Sequence, residues 1–171
     1  MAEGSRIAVE LGPPRGQPLV VEWALEELER LEAASAGDSP WRLDGELEVD
    51  VVEALRVVSG RLEDRRLLAI AALRPAGAPH GDDVVAGWLG QASELQRLDE
   101  VLLSTEYGPD GIPRRIGLEL YESAAAVPLR VAGTATGEPT RNEAPNRLRV
   151  GLELRHGGER GFAIYDLITA R

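Results

Sequence analysis

Apolar and polar positions alternate over short distances along most of this chain, with one departure near the amino terminus. Ile7-Ala8-Val9-Glu10-Leu11 has a period of two and stops at Gly12-Pro13-Pro14-Arg15-Gly16, which predicts a short strand and a turn. After Pro18 the spacing lengthens. Val21, Ala24, Leu25, Leu28 and Leu31 recur three or four apart, with Glu22, Glu26, Glu27, Glu29 and Glu32 between them. That spacing predicts one amphipathic helix over 18–34, with Gly37 just beyond it.

From Trp41 the period returns to two, with Trp41, Leu43, Leu47, Val49 and Val51 against Arg42, Asp44, Glu46, Glu48 and Asp50. A strand with all its charge on one face has that face in water, which favours antiparallel pairing. Further strands are predicted at about 54–62, 65–74, 83–89, 97–107, 114–122, 128–136, 146–155 and 161–169. Tyr107-Gly108-Pro109-Asp110-Gly111-Ile112-Pro113 and His156-Gly157-Gly158 read as hairpin turns, and 75–81 and 137–146 as loops.

The predicted fold is therefore mainly β: an antiparallel β-barrel, lipocalin-like, or a β-sandwich of about 8–10 strands, with the helix packed outside. The 171 residues fit a single domain spanning 1–171. Leu67–Leu73 and Val84–Leu89 are apolar on both faces, so the helix is expected to cover them, a homodimer contact being the alternative.

Composition narrows the function classes. No apolar run is long enough to span a bilayer and no signal-like stretch follows Met1, so the expected compartment is the cytoplasm. There is no cysteine, which removes disulfides, thiolate metal sites and cysteine nucleophiles. All basic residues are arginine, which removes lysine chemistry and reads as codon bias of a GC-rich, bacterial genome. A net charge of −10 opposes nucleic acid and anionic membranes as partners. The charge is uneven, because residues 1–64 hold six arginines and fifteen acids whereas 141–171 hold six and four. Arg147, Arg149 and Arg155 opposite Asp44, Glu46, Glu48 and Asp50 would let early and late strands lie side by side and close a barrel.

Candidate chemistry is sparse. His80 with Asp82 and Asp83 could bind a divalent cation or act in acid-base catalysis, but the spacing fits no known motif and reads first as a solvated loop. His156 is the other histidine, and two histidines without cysteine make a zinc site improbable, so neither metal nor cofactor is expected. Gly-x-Ser-x-Gly, Gly-x-Gly-x-x-Gly and Walker A sequences are absent. Arg114-Arg115 and Arg141-Asn142 read as solvent-facing.

Ala69, Ala71, Ala86, Gly87, Gly133, Ala135 and Gly151 fall on strands, where they imply either closely packed sheets or room inside. Trp88, Tyr107, Glu119, Tyr121, Arg130 and Tyr165 are the candidate lining of such a room. The expected function is non-catalytic binding of a small, partly apolar molecule. A structural or interaction module is a second reading, and an acid-base lyase or isomerase using Glu119, Tyr121 or the His80 loop a third.

Overall fold

The computed structural model describes residues 5–13, 16–31, 39–45, 47–48, 50–79, 82–143 and 146–169. Among them the chain forms β1 (Arg6–Leu11), β2 (Leu19–Ala24), α1 (Leu25–Glu29), β3 (Trp41–Asp44), β4 (Val52–Leu62), β5 (Leu67–Pro75) and β6 (Val84–Gly90). There follow β7 (Gln96–Arg97), β8 (Glu100–Tyr107), β9 (Pro113–Tyr121), β10 (Leu129–Glu143), β11 (Asn146–His156) and β12 (Glu159–Thr169).

Every pairing is antiparallel. The strands make a small sheet, β1-β2-β3, and a nine-stranded sheet, β7-β6-β5-β4-β12-β11-β10-β9-β8, that curls into a half-barrel. Two meanders build the large sheet and meet where the last strand returns to β4, with Tyr165 opposite Val58 and Ile168 opposite Leu55.

Period-two side-chain placement gives the curled sheet two buried faces. Inside the curl, Val58 and Ile70 pack with Ile116, Leu118, Val131, Leu152 and Tyr165. On the convex face, Leu55, Val57, Ala69 and Ala71 pack under Val9, Val21, Trp23 and Trp41 of the small sheet. Each large aliphatic side chain buried this way contributes roughly 1.5–3 kcal/mol. The two-sided apolar strands at 67–73 and 84–89 are thus covered, and the cover is a sheet.

The helix expected over 18–34 is replaced by β2 and the single turn α1, with residues 32–38 outside the described set. The reason lies in Leu19, Val21 and Trp23, which are buried while Val20, Glu22 and Ala24 are only half-buried. β-Branched and aromatic side chains at period two fit a pleat, and β1 and β3 supply hydrogen-bonding edges on both sides.

The strand expected over 41–51 is shorter. Gly45 at φ +105° ends it, and the amides of Val51 and Val52 fold back onto Glu48 O at 3.1 and 2.9 Å. The loop expected over 137–146 is instead mostly strand, since β10 runs to Glu143 past a register shift between Thr136 and Thr140, where Gly137 has φ +70°.

Early and late strands do meet, although not edge to edge as the charge pattern suggested. β3 pairs with β2, and β11 lies between β10 and β12. Arg149 sits opposite Asp166 and donates to it through Nε at 2.8 Å, while Trp41 Nε1 donates to the same carboxylate at 2.7 Å. The charge balancing Arg147 and Arg149 therefore comes from β12, and that balancing Arg155 from Glu153 of its own strand at 3.7 Å. Among the described residues, no helix is long and apolar enough to cross a membrane.

Candidate functional site

The half-barrel leaves a seam. Among the described residues β8 pairs with β9 along one edge and with no strand along the other. β6 approaches across the gap, where the Leu98 amide donates to Gly87 O at 2.9 Å and no ladder continues. A groove of about 950 Å³ follows β8 at this seam. Arg56, Asp83 and Val85 line it from across the gap, Val101, Leu102, Leu103 and Ser104 from β8, and Gly117, Glu119, Arg130 and Ala132 from β9 and β10.

At one end lies a buried polar cluster. Arg56 occupies an inward position of β4, where its side chain and that of Asp83 are each 6% exposed. Its Nη1 donates to Thr105 Oγ1 at 2.8 Å and its Nη2 to Asp83 Oδ2. Arg74 Nε donates to the other Asp83 oxygen at 3.0 Å, and Thr105 Oγ1 shares a 2.9 Å hydrogen bond with Tyr165 OH. β8 is thereby fastened to β4 and β12 across the interior. Burial opposes the Arg56 charge, but Tyr165, Asp83 and Tyr107 outweigh it and raise the guanidinium pKa above its ordinary value.

Burial also raises the Tyr165 phenol above its ordinary pKa of 10.0, with Tyr107 adding to the effect and Arg56 opposing it. The folded state therefore keeps this proton at a pH where the unfolded state releases it. Stability from this group is complete below pH 10.0 and declines as pH rises above it, at up to about 1.4 kcal/mol per pH unit. Urea unfolding between pH 8 and 11 should show a steeper alkaline decline for the native chain than for Tyr165→Phe. Equal slopes would mean that Tyr165 titrates as it does unfolded.

The sequence-derived candidates are dispersed. Glu119 and Arg130 face each other across β9 and β10 within the groove, paired at 3.0 Å, with the arginine side chain 75% exposed. Tyr107 ends β8 at 40% exposure, and Tyr121 ends β9 opposite Glu100, half-buried. Tyr165 lies in the core beneath the seam. Trp88 is on the convex face, donating from Nε1 to Ala8 O at 2.9 Å under β1, away from the groove. His80 lies outside the described residues, as does Glu46. His156 Nδ1 is 2.9 Å from Arg130 O.

Sequence reasoning passed over Arg56, Arg74 and Thr105. A signal existed for Arg56, which interrupts the apolar Ala54-Leu55-Arg56-Val57-Val58 run at an inward position. Chemically, Asp83 is held by two guanidiniums and Glu119 by one, and carboxylates so paired suit orientation of a ligand better than proton abstraction. Comparison with protein-family models, with curated proteins and with solved structures finds no match to this chain.

Proposed function

We propose that the chain is a non-catalytic binding domain whose groove along β8 takes a small, partly apolar molecule. The observation that carries this reading is the lining itself. Apolar positions of β6 and β8 (Val85, Val101, Leu103) stand beside a few fixed polar groups, Arg56 with Asp83 and Glu119 with Arg130. Ligand sites combine apolar walls with a small number of placed polar groups in volumes of roughly 300–1,000 Å³, and this groove falls within that range.

The small residues that suggested an internal ligand support a different location. A Cβ on Gly87 would stand 2.3 Å from Ile70 Cδ1, and one on Gly133 would stand 2.8 Å from Ile116 Cγ1, so their neighbours already fill that space. The frame is lipocalin-like in this reading by analogy of architecture only, with the ligand at the open seam.

Amide NMR titration of the whole chain with a panel of small amphiphilic metabolites tests the proposal. Shift changes should concentrate at 101–104, 117–119 and 130–132. A panel that leaves these amides unmoved, or moves only amides on the small sheet, removes the proposal.

A second reading, an interaction module, is favoured by one observation: the free edge of β8 carries Leu102 at 46% exposure. Light scattering across a concentration series separates the two, because pairing of two copies through that edge predicts a dimer and groove binding alone predicts a monomer.

A further inference from the structure

The charge at one end of the groove is unbalanced in a way that describes its ligand. Arg56 and Arg74 share one carboxylate, Asp83, and their side chains are only 6% and 16% exposed. Thr105 and Tyr165, the remaining partners of the cluster, contribute neutral hydroxyls. Among the described residues this wall therefore holds two positive charges against one negative. A charge largely removed from water and left without a counter-ion is costly, and an anionic group delivered into the groove would offset that cost.

The opposite end has the other sign. Asp99 and Glu100 line the groove at the start of β8, five or six positions before Thr105, which is roughly 16–20 Å along an extended strand. Neither has an ion-pair partner among the described residues. Val101 and Leu103 of β8 lie between the two ends, with Val85 facing them across the seam.

We infer that Arg56 anchors the carboxylate of an elongated apolar monocarboxylate, whose hydrocarbon body lies along Val85, Val101 and Leu103. This rests on the groove being the ligand site. A single excess charge at this end matches a monoanion, whereas Asp99 and Glu100 repel a second anionic group at the far end; between the two ends Glu119 is balanced by Arg130, and Arg155 by Glu153. Phosphate monoesters and dicarboxylates are accordingly poor fits. A guanidinium also suits a carboxylate geometrically, since its planar donors match the two oxygens. Arg74 stands behind Asp83, outside the lining, and supplies the excess charge without touching the ligand.

The test is a matched set of ligands, octanoate, 1-octanol and octylamine, titrated into the whole chain and followed by amide NMR. Octanoate should bind at least ten-fold more tightly than 1-octanol, moving Val85, Val101 and Thr105, with octylamine weakest. Arg74→Met leaves Arg56 and Asp83 balanced, and should bring octanoate down to the level of 1-octanol. If octanoate and 1-octanol bind the groove equally well, the ligand site stands and the carboxylate anchor falls. If octanoate is preferred but a folded Arg74→Met variant keeps the full preference, the charge argument is wrong. Should none of the three bind, the ligand-site reading falls and the inference with it. The comparison among ligands on the native chain decides the matter even if the variant does not fold.

Discussion

Asp166→Ala should cost about 3–5 kcal/mol of folding stability, because it strands two guanidiniums on a buried face of the molecule. Asp166 is fully buried on the convex side of β12. One oxygen accepts from Arg149 Nε at 2.8 Å; the other accepts from Trp41 Nε1 at 2.7 Å, Arg149 Nη2 at 3.1 Å and Arg147 Nη2 at 3.3 Å. Ser39 Oγ accepts from both arginines, at 2.6 Å from Arg149, and the Arg147 guanidinium lies 4.8 Å from the Trp41 ring centroid. A neutral, smaller residue at 166 leaves all of these donors facing a gap. The consequence reaches beyond β12, because Trp41 and Ser39 are how the small sheet grips the last strands. Urea denaturation measures the loss. A cost below about 1 kcal/mol would show that the arginines turn to water and that the site behaves as an exposed ion pair.

That cluster also shows which parts of the molecule were legible in advance. Most strands from β4 to β12 follow local pattern, since alternation and turn residues such as Gly108-Pro109-Asp110-Gly111 act within a few positions, but the strand expected over 97–107 is split into β7 and β8, and β10 runs on through the expected loop to Glu143. The partners of those strands do not follow from local pattern. Trp41 meets Asp166 across 125 positions, and Arg56 meets Thr105 across 49. The charge pattern placed the early and late strands side by side and matched the arginines with Asp44 and its neighbours, whereas β3 lies in the other sheet and Arg147 and Arg149 pair with Asp166 of the adjacent β12.

The groove was illegible for the same reason. Its walls come from β4, β6, β8, β9, β10 and β11, and whether the curl closes depends on β6 and β8 failing to pair, which no single segment encodes. Glu119 and Arg130 were read from their strands and do line it. Trp88 sits on the same β6 as Val85 but at the opposite parity, so a one-residue difference sends it to the other face.

Residues 19–24 are where local pattern misled, and substitutions there test the correction. Trp23→Ala should cost about 3–5 kcal/mol, as removal of a large buried aromatic does. Trp23 is fully buried against the convex face, and its Nε1 donates to Ser59 Oγ at 2.9 Å, so the variant also leaves that hydroxyl without its donor. Val20 is three positions earlier. On the helix expected over 18–34 the buried stripe is Val21, Ala24, Leu25, Leu28 and Leu31, which leaves out both Val20 and Trp23, so Trp23→Ala would then be as mild as Val20→Ala. On β2 the two have opposite parity, with Val20 paired to Glu10 and Asp44 and only half-buried, so Val20→Ala should cost under about 1 kcal/mol. Glu22→Ala should be similarly mild, because its 2.8 Å pairing is to an Arg42 whose side chain is 63% exposed. Alternating costs along 19–24, measured by urea denaturation, are the signature of a strand clamped over the curled sheet. Equally small losses from Val20→Ala and Trp23→Ala would restore the helix.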